Sequence, residues 1–209
     1  MPPARPAGAL TRRRLLRVGP RPFRGVAYRV IGSRFLSSPL ASAGSRLRGG
    51  RFNPAGEFEV LYVALSVDTA FAERDGLLLT AAGIKAARAV RTGVLLKLGC
   101  RLTSVLDLTD QRVRERLAVS LADVLGPWLP WIAASARATA VAPSQAIGRN
   151  VHASRRFEGI LYPSTKDPAG RCLAIFPDRL RRPSSVTVQD SDGVIRGTLG
   201  LSGLRAPRR

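Results

Sequence analysis

The chain has 209 residues and carries 34 Lys and Arg against 14 Asp and Glu, a formal charge of +20. It is 45% hydrophobic, enough to bury a real core, yet no run approaches the ~18 apolar residues of a membrane helix, so a soluble protein is expected, and its isolated cysteines fit a reducing, cytoplasmic setting. Two isolated cysteines, Cys100 and Cys172, exclude a disulfide framework or a CxxC metal site, and a single histidine, His152, with no obvious orienting carboxylate beside it, argues against a metal centre or a Ser-His-Asp hydrolase.

The charge is uneven. No Asp or Glu precedes Glu57, whereas residues 1–56 hold twelve Arg. Residues 1–22 are Arg-rich, acid-free and rich in proline, which reads as a basic, disordered arm rather than a targeting peptide. PFRGVAYRVIG then predicts a strand with Val26, Tyr28 and Val30 on one face. Residues 36–50, rich in Ser and Gly, predict a loop. EVLYVAL (59–65) is nearly continuous in apolar residues and predicts a buried strand. Ser66 is placed to cap the helix that opens SVDTAFAERD, with Asp68 in its positive first turn.

Further on, VLLKL (94–98) and SVLDL (104–108) predict two strands. DQRVRERLAVSLADVLG predicts one helix, capped by Thr109 or Asp110, with Val113, Leu117, Leu121 and Val124 at helical spacing and Gly126-Pro127 as its stop. Trp128 and Trp131 read as core or lid. SQAIGRNVHASRRF predicts another helix, GILYP (159–163) and CLAIF (172–176) two strands about a Pro/Gly turn, and residues 189–209 a terminal hairpin about Asp192-Gly193 with a basic tail. Strands and helices mix without regular βαβ alternation, so the fold class is α+β, with one main domain over 23–188.

Four side chains carry chemistry. Arg51 follows Gly49-Gly50, which allow a sharp turn and close approach to a ligand; a guanidinium fork suits phosphate or ribose oxygens, although a solvated surface charge fits the local sequence equally. Tyr62, in an apolar strand, can fill core or offer a flat wall for stacking. Glu73 sits among Ala70, Phe71 and Ala72, where a carboxylate is either paired or functional. Ser164 closes the strand GILYP and fits a turn or a site.

Taken together, GGRFN, then LYVA with Tyr62 eleven residues after Arg51, then AFAE with Glu73 eleven residues after Tyr62, and finally EGILYPSTKDPAGRCLAIF resemble the RES family over roughly residues 23–180. Phe52 stands where many members have Trp, and the chain is longer than compact members. The resemblance implies an ADP-ribosyltransferase-like fold with central mixed or antiparallel sheet and flanking helices. It also implies a toxin that consumes NAD+ as substrate without a metal, neutralised by an Xre-like antitoxin, with nucleic acid met only through that partner and a homo-oligomer allowed within the complex. By the same resemblance the catalytic set is Arg51, Tyr62, Glu73 and Ser164, with Arg29 and Asn53 as further NAD-binding residues. The acceptor stays open between water, phosphate and a protein, the last giving a mono-ADP-ribosyltransferase. A non-catalytic nucleic-acid-binding module is the alternative from another class: the charge fits it, but the Arg-rich ends lack the interleaved aromatics of a stacking platform. An inactive relative kept for partner binding is the third reading, opposed by the joint presence of the four residues.

Overall fold

The computed structural model describes residues 10–82, 93–130 and 141–200. It is an α+β fold, as expected. Seven strands form one sheet in the order β1-β2-β5-β4-β3-β6-β7: β1 (Arg21–Ile31), β2 (Leu61–Ala64), β3 (Val94–Asp107), β4 (Gly159–Pro163), β5 (Arg171–Ile175), β6 (Ser185–Val188) and β7 (Thr198–Leu199). All pairs are antiparallel except β3–β4. β1 also pairs with β3 from Arg21 to Ile31, so β1, β2, β5, β4 and β3 close into a ring. The helices among the described residues are α1 (Arg12–Leu16), α2 (Ala43–Arg48), α3 (Val67–Ala82), α4 (Gln111–Leu117), α5 (Leu121–Leu125) and α6 (Pro143–Ala153). Parallel strands need a long crossover, and the segment carrying α4, α5 and α6 supplies it between β3 and β4.

Because strand side chains alternate, the sheet carries a core on each face. Tyr28, Val30, Tyr62, Ala64, Ile160, Tyr162, Cys172 and Ala174 point to the side where the helices pack, with Phe52, Phe157 and Phe176. Ala27, Ile31, Leu61, Val63, Leu98, Leu102, Leu173 and Ile175 point to the other. The two strands predicted over 94–98 and 104–108 are one. Residues 98–101 are flanked by β1 on one side and β6 on the other, so their backbone is paired throughout, and Leu96, Leu98, Cys100 and Leu102 keep the period-two burial.

Three other expectations change. Residues 36–50 contain α2, whose last turn ends at Gly49 in the left-handed region (φ 75°). The single helix predicted from Asp110 is two. Asp110 caps α4 through the N–H groups of Arg112 and Val113, Ala118 turns left-handed (φ 51°), and Ser120 restarts the chain with a capping box to Asp123. Leu121 is therefore exposed, while Val113, Leu117 and Val124 are buried. The arm predicted as disordered over 1–22 is folded from Leu10 onward. Leu10, Leu15 and Val18 enter the helix-side core; Arg14 donates to the Leu117 carbonyl at 3.2 Å, and Arg156 donates to the carbonyls of Leu15 and Val18. Burying those apolar groups outweighs the solubility of the neighbouring arginines. Residues 1–9, Trp131 and the basic tail from 201 lie outside the described residues.

Glu158, which no local pattern singles out, is fully buried. Its Oε2 accepts from the N–H groups of Thr103 (2.7 Å) and Ser104 (3.1 Å) and from Thr103 Oγ1, and its Oε1 accepts from the Arg181 N–H at 2.8 Å. One side chain thus ties β3 to the chain after β5. Hydrogen bonds to a charged acceptor contribute about 1.5–3 kcal/mol each and leave buried donors unsatisfied when removed, so Glu158→Ala should lose several kcal/mol. Urea unfolding checks this; a loss within experimental error would refute it.

His152, read as lacking an orienting carboxylate, has one from a distant segment. Its Nε2 lies 3.0 Å from Asp178 Oδ2, and its ring stacks on Phe58 at 3.9 Å. Partial burial pushes the Asp178 carboxyl up, but the His152 hydrogen bond and the charges of His152 and Arg179 outweigh this and hold it below the ordinary carboxylate value. Such a depressed group stabilises the fold fully above its unfolded pKa of about 3.9 and loses that contribution as pH falls through the lower folded value. The stability gap between wild type and Asp178→Asn should accordingly shrink as pH falls below about 4, as measured by urea midpoints across pH.

Candidate active site

The loop that carries Arg51 is made by close backbone approach. Gly50 N–H donates to the Asn53 carbonyl at 2.8 Å and closes a tight turn with Arg51 at its tip. A β-carbon at Gly50 would lie 2.7 Å from the Tyr62 ring, its hydroxyl and Asn53 Oδ1, so glycine lets the loop lie on Tyr62. From the other side, α6 seats the loop: Gln145 Nε2 donates to the Gly50 carbonyl (3.0 Å) and the Asn53 carbonyl (3.4 Å), while a β-carbon at Gly148 would overlap the Phe52 carbonyl.

Tyr62 fixes the same loop. Its hydroxyl donates to Asn53 Oδ1 and accepts from the Phe52 N–H, both at 2.8 Å. Asn53 is buried, and its amide donates to the carbonyls of Ser45 (2.7 Å) and Phe58 (3.1 Å). Its hydrogen-bonding groups are therefore engaged within the protein, and it acts here by holding Tyr62. Arg51 Nη1 donates to the carbonyls of Val124 and Gly126, each at 3.0 Å, at the end of α5, and Nη2 reaches Thr165 Oγ1 at 3.4 Å. Of its five protons, Nε–H and one on Nη2 make no hydrogen bond among the described residues.

Glu73 stands in the second turn of α3, whose first turn Ser66 caps by accepting from the Thr69 N–H. Its Oε1 accepts from Ser164 Oγ at 2.6 Å and the Thr165 N–H at 3.0 Å, with the Cys172 thiol at 3.9 Å. No hydrogen bond engages Oε2 among the described residues. Ser164 Oγ accepts from the N–H groups of Lys166 (3.1 Å) and Asp167 (3.0 Å). Its one proton goes to Glu73, so the hydroxyl orients the carboxylate. Thr165 links the two charged groups, its amide on Glu73 and its hydroxyl facing Arg51.

Two further residues belong to this cluster. Register places Ala64, Cys172 and Tyr162 side by side across β2, β5 and β4, on the face that also carries Tyr62. Burial, then the negative charge of Glu73, pushes the Cys172 thiol up to about 12. Burial also raises both Tyr62 and Tyr162. All three stay protonated at neutral pH and act as donors or walls, not as bases. Arg29 is placed apart. It shares the face of Ala27 and Ile31, donates to the carbonyls of Pro39 (3.1 Å) and Ala41 (3.0 Å), and is lowered to about 10 by burial. The structure thus joins Arg51, Tyr62, Glu73 and Ser164, makes Asn53 their support, and leaves Arg29 on the opposite side of β1.

The model of the RES domain matches residues 26–196. The chain belongs to the RES domain family. No curated protein matches it. Among solved structures, this RES domain is similar to a chain of the M. tuberculosis MbcT-MbcA toxin-antitoxin complex, at 21% identity and a TM-score of 0.65, over 92% of this chain and 93% of the other. At that identity the likeness speaks for the fold.

Sequence reasoning missed Gln145, Gly148, Tyr162, Thr165 and Cys172. Tyr162 and Cys172 could have been placed by period two in GILYP and CLAIF once the strands were paired, whereas Gln145 and Gly148 had no local signal. The seat of α6 on the Arg51 loop of the RES domain is testable. Gly148→Ala should force helix and loop apart and cost about 1–3 kcal/mol, the range for overpacking. A thermal midpoint unchanged from wild type would show that the contact is slack.

Proposed function

We propose that this RES domain is an NAD+-cleaving toxin: it breaks the bond between nicotinamide and ribose, depletes NAD+, and is neutralised by a cognate antitoxin. The observation that carries this reading is the held Glu73, whose Oε1 is fixed by Ser164 and Thr165 while Oε2 makes no hydrogen bond among the described residues. Cleavage of an N-ribosyl pyridinium passes through an oxocarbenium-like state, as glycoside cleavage does. Nicotinamide leaves neutral, so the reaction needs no general acid, and one carboxylate suffices. The site's chemistry matches: one oriented carboxylate, a guanidinium, protonated phenols and a protonated thiol.

Each residue then has a role. Glu73 Oε2 accepts from a ribose hydroxyl and stabilises charge at the anomeric carbon. Arg51 offers Nε–H and its free Nη2 proton to diphosphate or ribose oxygens, while Nη1 stays on the end of α5. The hydroxyl of Tyr62 is turned inward, so its ring is the part that meets the nicotinamide riboside. Ser164 acts through Glu73. The acceptor of the ADP-ribosyl group is water or phosphate in this reading; ADP-ribose and ADP-ribose 1″-phosphate distinguish the two. Family membership and the structural likeness to a chain of a toxin-antitoxin complex support the toxin role and a protein partner. The resemblance supports an Xre-like one, and the +20 charge suits an acidic face on it.

Purified protein incubated with NAD+ should release nicotinamide, quantified by chromatography. Glu73→Gln keeps the size of the side chain and removes its charge, and should lower kcat by about 10²–10³, the loss typical of one preorganised electrostatic group. Turnover at the wild-type rate in that variant would overturn the role of Glu73.

A further inference from the structure

Helix α3 turns two polar side chains towards the turn at 164–170, four residues apart and so on one face. Glu73 is one and Thr69, fully buried, is the other. Thr69 Oγ1 donates to Asp167 Oδ2 at 2.5 Å. A hydroxyl has one proton, so Ser66 Oγ, 2.6 Å away, is the donor to Thr69 Oγ1, while it accepts from the Thr69 N–H. Asp167 Oδ1 accepts from the Ala169 N–H at 3.2 Å, and the Asp167 N–H donates to Ser164 Oγ. Asp167 is thereby joined through its own backbone to the hydroxyl that holds Glu73.

Gly170 gives an independent sign of the same contact. A β-carbon there would lie 2.5 Å from both Asp167 Oδ2 and Thr69 Oγ1, so the turn closes on α3 only without a side chain at this position. The turn is also closed on itself, by the Gly170 N–H on the Asp167 carbonyl and the Ser164 N–H on the Gly170 carbonyl, each at 2.9 Å.

We infer that Thr69 and Asp167 are positioning residues that clamp the 164–170 turn onto α3 and thereby fix the direction of Glu73 Oε2. This rests on the reading of Glu73 as the carboxylate at the reacting ribose. With the clamp, turn and helix are joined at two points, and the Ser164 hydroxyl and Thr165 amide meet Oε1 from fixed positions. Without it, they are joined at this face through Glu73 alone, and the carboxylate follows any movement of the turn. A productive site tolerates only about 0.5 Å of such movement.

The test compares wild type with Thr69→Val, Asp167→Ala, their double variant and Thr69→Ser. Each removal should lower kcat for nicotinamide release roughly 10-fold or more, as misplacement does, and leave KM for NAD+ within about 2-fold, because the groups that bind the remainder of the dinucleotide are untouched. The double variant should be no worse than the poorer single, since both remove one contact, and Thr69→Ser should restore kcat. Hydrogen exchange of the Thr165 amide gives a readout independent of activity: it should quicken at least ~10-fold in Thr69→Val and remain slow in Thr69→Ser. Unchanged Thr165 exchange, additive losses in the double variant, or a rise in KM at constant kcat would overturn the clamp. A wild-type protein that releases no nicotinamide would overturn the NAD+ reading, and the exchange measurement would then decide the clamp by itself.

Discussion

A carboxylate set against an apolar sheet needs donors, and Glu73 takes them from a turn 91 residues further along the chain. That contact organises the site. It joins the helix after β2 to the turn between β4 and β5, and it can form only because β2, β5 and β4 are adjacent in the sheet. Ser164 contributes its proton, Thr165 its amide, and Cys172 lies beneath. The strand order thus delivers a single oriented acid to one end of a face walled by Tyr62 and Tyr162.

The loop bearing Arg51 is positioned by a different principle, close backbone packing. Gly50 lets it lie on Tyr62, Gly148 lets α6 lie on it, and Gln145 satisfies its carbonyls. Interiors packed to crystal-like density transmit small shifts, so the loop backbone that carries Arg51 is located by contacts that involve none of the Arg51 side chain. The Nη1 edge is bound to the end of α5, where unpaired carbonyls attract a cation. Among the described residues this leaves Nε–H and one Nη2 proton unengaged, a division of the fork that a flexible lysine ammonium could not reproduce.

Charge is handled in two ways. Buried and half-buried groups are satisfied individually: Glu158 by backbone donors, Arg29 by backbone carbonyls. The remaining excess of arginine lies largely at the surface, and part of it helps dock the N-terminal segment, where Arg14 and Arg156 cap carbonyls around the buried Leu10, Leu15 and Val18. A basic composition therefore coexists with an ordinary apolar core.

Much was legible in the residues alone. The apolar run at 59–65, the Ser66 cap, the helix over 143–153 and the strands about the 164–170 turn are local patterns, set by side-chain period and capping chemistry, and they appear where expected. So did the ordered motif set around Arg51, Tyr62, Glu73 and Ser164 that resembles the RES family. Other features depended on partners far along the chain. Residues 94–107 became one strand because neighbours paired both sides of the middle, and residues 10–18 folded because a core was there to receive Leu15. His152 gained Asp178, and Asn53 proved to be a support for Tyr62. Sequence alone determined the local elements, because side-chain period and capping chemistry set them, and through the resemblance to the RES family it singled out Arg51, Tyr62, Glu73 and Ser164 as the candidate set. Only the tertiary structure decided which oxygen of Glu73 and which protons of Arg51 are engaged among the described residues, because hydrogen-bond partners are fixed by strand order and by the backbone approach that glycine permits.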